Sequence, residues 1–183
     1  PGHGQSRGRR LNMAIAVEAA GTAAEWFGPF AAVVGHSFGG AVAVNAAVGS
    51  IKGIAPLATG RLILIAAPNS MPAIFEDFGR FVNLGPKSSV AIADQVKRVA
   101  GRPLSDFVSS AQLARLPIPT LVIHAPDDRE VPAESASQMA AAGEHVELRL
   151  TPGLGHRRIL SDPGVVEASV GFVIRSREPA LLH

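Results

Sequence analysis

A short glycine-rich stretch, Gly35-His36-Ser37-Phe38-Gly39-Gly40, constrains the fold of this chain more than any other feature. The apolar residues 31–34 before it favour a buried strand, and the small apolar residues 41–48 after it favour a helix buried against a sheet. A strand that turns directly into a helix around G-x-S-x-G holds the Ser in a strained conformation at the helix N-terminus. The helix dipole there favours a developing negative charge. A glycine-rich turn with a capping Ser is the alternative at this point.

The glycines around Ser37 narrow the interpretation further. We expect Gly35 and Gly39 to be required, because a Cβ at either position would collide with neighbouring backbone. A phosphate-binding loop is excluded, since it needs Gly-Lys-Ser/Thr and no Lys is nearby. Residues 2–4, Gly-His-Gly, lack the third glycine and the preceding strand of a dinucleotide-binding turn.

Strand and helix patterns alternate along the rest of the chain. Buried strands are predicted at residues 61–66 and 120–124, and a strand nearer the sheet edge at residues 146–150. Helices are predicted at residues 11–27, 133–142 and 163–174. Alternation of this kind predicts an α/β fold, in which about four strands form a mainly parallel sheet with helices on both faces.

Composition limits the class of protein. A chain of 183 residues with 47% hydrophobic and 17% charged residues predicts one globular domain, residues 1–183, with a sizeable core. The net charge of +2 is spread along the chain, so no nucleic-acid footprint is expected. The chain has no Cys, which excludes disulfides and a Cys nucleophile. The longest uncharged stretch, residues 26–51, carries too many polar residues, glycines and prolines for a membrane span.

Residues 68–117 interrupt the alternation of strands and helices. About fifty residues separate two strands where a simple crossover needs far fewer, so this segment is predicted to be a helical insertion within the domain. Apolar residues recur in it at helical spacing, namely Ile74, Phe75, Phe78, Phe81 and Val82. They predict either a helix packed on the core or a lid that lines an apolar pocket.

A Ser hydroxyl needs a neighbouring base, and that base needs a group to orient it. Among the six histidines, His156 lies in a predicted flexible loop directly after the last strand, at the same sheet edge as Ser37. His124 lies within a strand and is expected to be a core or near-site residue. The acid is expected after the preceding strand, where Asp127 and Asp128 compete. The order Ser, Asp, His, with each residue just beyond a strand, is specific for a catalytic triad.

These motifs resemble the α/β-hydrolase family. Residues 1–6 resemble the turn after the family's fourth strand, residues 35–39 its nucleophile elbow, residues 119–132 its acid-bearing strand and loop, and residues 153–156 its histidine loop. The resemblance extends to about Val173. The chain is also similar to small bacterial members of the family. Aligned on the family's acid motif, the catalytic acid is Asp128, in a stretch where Ala125 stands at the usual Gly position.

The resemblance implies a serine hydrolase of the carboxylesterase type, EC 3.1.1, that needs no metal or cofactor. Ser37 would attack an acyl carbonyl, His156 would take and return the proton, Asp128 would fix the imidazole tautomer, and the backbone N–H of Phe38 would donate to the oxyanion. A small-molecule acyl substrate is expected. His36, Phe75 and Phe78 are the candidates for its pocket.

The resemblance also implies that one oxyanion donor is missing from this sequence. In the family the second oxyanion donor comes from a loop after the third strand, and that loop and the first strands are not in this sequence. The edge of the strand at residues 31–34 is therefore expected to be covered by a missing N-terminal segment or by self-association. Because one oxyanion donor is worth about 10²–10³ in turnover, we expect the isolated chain to be feebly active at best.

Two function classes remain open from the sequence. The first is hydrolysis of an ester, with thioester, amide, lactone and carbon–carbon bonds as further options. The second is a non-catalytic binding or scaffold module with an incomplete oxyanion hole. A cytoplasmic protein without a membrane span is expected in either case.

Overall fold

The computed structural model of the chain describes residues 2 and 4–175. Its centre is a sheet of four parallel strands in the order β1-β2-β3-β4, with bounds β1 Val33–His36, β2 Leu62–Ile65, β3 Thr120–His124 and β4 Val146–Leu150. Because all three strand pairs are parallel, the four carboxyl ends lie at one edge of the sheet. The predicted α/β class with about four parallel strands is confirmed.

Eight α-helices lie within the described part of the chain, and several begin at recognisable caps. Their bounds are α1 Met13–Phe27, α2 Phe38–Val48, α3 Met71–Phe81, α4 Pro86–Ala100, α5 Ser109–Leu113, α6 Glu134–Ala140, α7 Gly155–Arg158 and α8 Pro163–Ile174. The side chains of Asn12, Ser70 and Asp162 accept hydrogen bonds from the first turns of α1, α3 and α8. None of these helices is long and apolar enough to cross a membrane.

Two hydrophobic layers hold the sheet, because alternate side chains of a strand point to opposite faces. Leu62 and Leu64 of β2 pack in a cluster with α2, α5 and α6 on one face. Ile63 and Ile65 pack on the other face with residues of α8, among them Phe172. All four residues of β2 are buried, which explains why its sequence is a continuous apolar run rather than an alternating one.

The segment of residues 68–117 contains α3, α4, a 3-10 turn at Leu104–Asp106 and α5. α5 packs against α2, whereas α4 contacts α1 and the 3-10 turn. The expectation that this segment acts as a cap or lid remains a prediction.

The first strand differs from its predicted position. It spans Val33–His36 rather than residues 31–34, because the ladder with β2 continues from Val33 opposite Leu62 to His36 opposite Ile65. Within the described chain β1 pairs on one side only, and Val34 is 56% exposed. Coverage of this edge by another segment or a second copy remains a prediction.

Candidate active site

Ser37 lies at the point where β1 turns into α2. Its backbone N–H donates to Ile65 O at 2.9 Å, which extends the β1–β2 ladder by one residue, and its carbonyl already accepts from Gly40 N–H at 2.9 Å. The reversal therefore takes place within one residue, at φ 53° and ψ −126°. A non-glycine residue with this positive φ is strained, and such strain concentrates at functional sites. α2 begins at Phe38 rather than at residue 41, because the turn leaves no room for a longer connection.

Two glycines permit this turn, and one of them is not the expected one. A Cβ at Gly35 would lie 2.3 Å from the carbonyl oxygen of Gly39, and a Cβ at Gly40 would lie 2.4 Å from the Cβ of Ala67. A Cβ at Gly39 would have nothing within 4 Å. The predicted need for glycine at position 35 therefore holds, but at position 39 it is wrong. Gly39 faces open space while Gly40 faces the end of the neighbouring strand.

Gly35→Ala and Gly39→Ala form a matched pair of variants. We expect Gly35→Ala to lower the free energy of unfolding by about 3 kcal/mol or more, because its methyl group meets backbone that cannot move aside. Gly39→Ala should stay within about 1 kcal/mol of wild type, since alanine is favoured in a helix and has space here. Urea unfolding followed by circular dichroism measures both. Equal losses in the two variants would contradict this account of the turn.

His156 reaches Ser37 from the far side of the sheet. The predicted flexible loop is instead a turn followed by the single helical turn α7, in which His156 is the second residue and is only 8% exposed. Its Nε2 lies 3.0 Å from Ser37 Oγ, and its Nδ1 lies 2.7 Å from Asp128 Oδ2. Since a carboxylate can only accept, we assign the proton to Nδ1, so that Nε2 accepts from the Ser37 hydroxyl.

Asp128, not Asp127, faces the imidazole. The Asp128 side chain has no exposed area, and its Oδ1 accepts from the N–H groups of Glu130 at 2.8 Å and Val131 at 2.9 Å. Burial by itself would raise the pKa of Asp128. The hydrogen bonds from Val131, His156 and Glu130, together with the charge of His156, outweigh burial and hold this pKa below its ordinary value. Asp127 instead accepts from Gly153 N–H at 2.7 Å and fastens the turn before α7.

His36 supports the histidine rather than a substrate pocket. Its Nε2–H donates to the carbonyl of His156 at 2.8 Å, and the two rings lie with their centroids 4.7 Å apart. His36 thus ties the end of β1 to α7. Sequence alone did not indicate this contact, because no motif in the chain links the ring of His36 to the backbone carbonyl of His156.

His124 holds the loop that carries Asp128 through a second hydrogen bond. It is fully buried at the end of β3, and its Nε2–H donates to Val131 O at 3.0 Å. The same Nε2 lies 3.6 Å from Asp128 Oδ2, while Nδ1 makes no hydrogen bond to any residue that the structure describes. This agrees with the expectation of a core or near-site residue. His124 anchors the loop that carries Asp128.

A cavity of about 680 Å³ begins beside the residue that follows Ser37. It is lined mainly by apolar side chains, among them Phe38, Met71, Phe75, Val96 and Phe107. Phe78 is 55% exposed and is not one of its lining residues, and neither is His36. Of the three residues predicted to line a substrate pocket, the structure therefore places only Phe75 at this cavity.

The first residue of α2 presents a free donor close to Ser37. Phe38 occupies the first helical position, where a backbone N–H has no acceptor within its own helix. This N–H and the helix dipole favour negative charge at the position where an atom bonded to Ser37 Oγ would lie. His3, in the turn that resembles the one after the family's fourth strand, lies outside the described residues.

The arrangement is suited to proton transfer from a hydroxyl. Nε2 of His156 accepts from Ser37, the ionised Asp128 stabilises the positive charge that the ring gains, and α2 offers a donor for an anion. Within residues 2 and 4–175 no three His, Asp or Glu side chains form a cluster able to hold a metal ion.

The chain is similar in sequence and in fold to known proteins. The family model described as "Alpha/beta hydrolase family" matches residues 1–169. The crystal structure of NosK from Streptomyces actuosus is 27% identical, with a TM-score of 0.61 over 94% of this chain and 81% of that chain. A monoacylglycerol lipase from Paleococcus ferrophilus is 19% identical, with a TM-score of 0.65 over 96% of this chain and 81% of that chain.

A third similar structure is that of an enzyme that is not named a lipase or an esterase. The meta-cleavage product hydrolase CumD from Pseudomonas fluorescens IP01 is 16% identical, with a TM-score of 0.60 over 92% of this chain and 74% of that chain. At such identities the likeness to this enzyme and to the lipase concerns the fold alone. A search of curated protein sequences found no significant match.

Proposed function

The chain belongs to the alpha/beta hydrolase family, and from that premise we propose that it is a serine hydrolase that cleaves a carboxylic ester or a related acyl bond through an acyl-enzyme. One observation carries the proposal. Ser37, His156 and Asp128 form a continuous chain of contacts, 3.0 Å and 2.7 Å long, although they lie far apart in sequence. Such a chain is the requirement for activating an otherwise weak hydroxyl nucleophile.

The proposed reaction has two halves. In the first, Ser37 Oγ attacks the acyl carbonyl carbon, its proton moves to His156 Nε2, and the leaving group departs with that proton. In the second, water attacks the acyl-enzyme, gives a proton to Nε2, and Ser37 regains its hydrogen as the acid product leaves. Asp128 keeps the ring in the Nδ1–H tautomer in both halves.

Stabilisation of the oxyanion is assigned in part. The N–H of Phe38 would donate to the carbonyl oxygen as it becomes negative, because it stands next to the attacked atom and lacks a partner in its helix. A second donor from an upstream segment stays a prediction. Feeble activity of the isolated chain would be consistent with that prediction.

The apolar cavity beside Phe38 favours a hydrophobic acyl group. Its volume of about 680 Å³ falls in the range that encloses a small organic ligand. A carboxylic ester is the first choice of bond. A lipase and a meta-cleavage product hydrolase both share the fold, so the fold does not choose between an ester and a carbon–carbon bond.

Labelling with a fluorophosphonate tests the proposal, because the reagent reacts much faster with an activated serine than with an ordinary hydroxyl. We expect one adduct per chain, located on the peptide that contains Ser37 by mass spectrometry. The Ser37→Ala variant and heat-unfolded wild type should take up none. An unlabelled native chain, or a label retained in Ser37→Ala, would count against a serine hydrolase.

The alternative of a non-catalytic binding module receives less support. Such a module has no need for the tautomer-specific contacts of His156 or for a strained Ser37. Absence of the label in a folded chain is the outcome that would favour it.

A further inference from the structure

A second carboxylate faces the nitrogen of His156 that accepts the hydrogen bond from Ser37. Glu130 Oε2 lies 3.8 Å from His156 Nε2, the atom that also contacts Ser37 Oγ at 3.0 Å. Asp128 already occupies the opposite nitrogen, Nδ1. Glu130 is therefore not needed to orient the ring.

The Glu130 side chain is held from two directions. Its backbone N–H donates to Asp128 Oδ1 at 2.8 Å, which fixes where the side chain starts. Its Oε1 accepts from Nε of Arg157 at 3.0 Å, and Arg157 directly follows His156. Oε2 accepts no hydrogen bond from any residue that the structure describes, so one carboxylate oxygen is kept free and directed at Nε2.

The separation of 3.8 Å is too long for a direct hydrogen bond and is suited to a bridging water. A water about 2.8 Å from both atoms spans this separation, and it donates one hydrogen to each. A cavity of about 440 Å³, lined by Glu130, His156 and Arg157 among others, provides access for it. We propose that Glu130 positions the water that hydrolyses the acyl-enzyme, an inference that rests on the proposed serine hydrolase function.

The step balances with groups already present. The water oxygen bonds to the acyl carbon, one water proton moves to Nε2 of His156, and the other stays on the oxygen in a hydrogen bond to Glu130 Oε2. The bond between the acyl carbon and Ser37 Oγ then breaks, and the proton on Nε2 passes to Oγ. The product is the free carboxylic acid. In the first half of the reaction the hydroxyl of Ser37 supplies the proton, so no water has to be positioned there.

Pre-steady-state kinetics separates the two halves. With a p-nitrophenyl ester, the initial burst of nitrophenol reports acylation and the later linear phase reports hydrolysis of the acyl-enzyme. In Glu130→Gln we expect the burst rate to stay within about twofold of wild type, while the linear phase falls by about 10- to 100-fold because the water is misplaced. Hydroxylamine, a nucleophile that does not need this water, should restore nitrophenol release.

Glu134→Gln is the matched control, since Glu134 is also an exposed glutamate near this loop and is at the start of α6. It should leave both phases unchanged, and thermal unfolding should show all variants folded. Equal falls in both phases of Glu130→Gln, or no change in either, would overturn the inference while leaving the serine hydrolase intact. Failure of wild type to be labelled at Ser37 would instead remove the proposed function and this inference with it.

Discussion

Replacing Ser37 by Ala is expected to lower kcat for ester hydrolysis by roughly 10⁴- to 10⁶-fold, the range for losing the nucleophile of a triad. The reason is local, because no other hydroxyl contacts Nε2 of His156 within the described chain. His156→Ala should cause a loss of similar size. Steady-state rates with a p-nitrophenyl ester, normalised to folded protein, provide the measurement.

A variant that lacks both side chains tests whether Ser37 and His156 act together. Two groups that act as one unit are not additive, so Ser37→Ala combined with His156→Ala should be no slower than either single variant. Ser88→Ala, at an exposed position inside α4, is the control and should keep the wild-type rate. Losses that add in the double variant would mean that the two side chains act independently.

Asp128→Asn is expected to lower kcat by roughly 10³- to 10⁴-fold with little change in the fold. An amide at this position can donate to Nδ1 of His156, which favours the tautomer whose Nε2 cannot accept the proton of Ser37. Asp127→Asn is the matched neighbour and should lose less than about tenfold, since Asp127 accepts from Gly153 N–H and not from His156 in the described structure. A larger loss for Asp127→Asn than for Asp128→Asn would show that Asp128 is not the catalytic acid.

The same variant predicts a pH dependence of stability. The pKa of Asp128 in the folded chain lies below its ordinary value of 3.8. A carboxyl with a lowered folded pKa stabilises the fold above its unfolded pKa, and that stability is lost as the pH falls through the folded pKa. Wild type should therefore exceed Asp128→Asn by about 1 to 3 kcal/mol at neutral pH, with the difference shrinking only below about pH 4. A difference that disappears near pH 6 would contradict the assignment.

The sheet was predictable because local pattern and burial agree. The continuous apolar run of β2 is typical of a strand that is buried on both faces of a parallel sheet, and the alternating β4 lies at the edge with a single buried residue, Val146. The start of α2 was predicted three residues too late. Glycine is a poor helix former, so the pattern excluded Gly39 and Gly40, whereas the tertiary turn at Ser37 requires the helix to start at Phe38.

The residues of the candidate site were predicted on different grounds. Order and spacing after the strands pointed to Ser37 and His156, because parallel strands bring their carboxyl ends to one edge. The choice between Asp127 and Asp128 followed from family resemblance and not from spacing. In the structure the two carboxylates point to different partners, one to Gly153 and the other to His156.

By itself the sequence determined the α/β class and the mainly parallel sheet, and its strand-to-helix turn pointed to Ser37. These depend on burial periodicity and turn chemistry, which act between near neighbours in the chain. Only the tertiary structure decided that His36 ties down His156, that Gly40 rather than Gly39 needs to be small, and that Glu130 faces Nε2. Those contacts depend on distances of a few ångströms between side chains of different elements, and no local pattern encodes such distances.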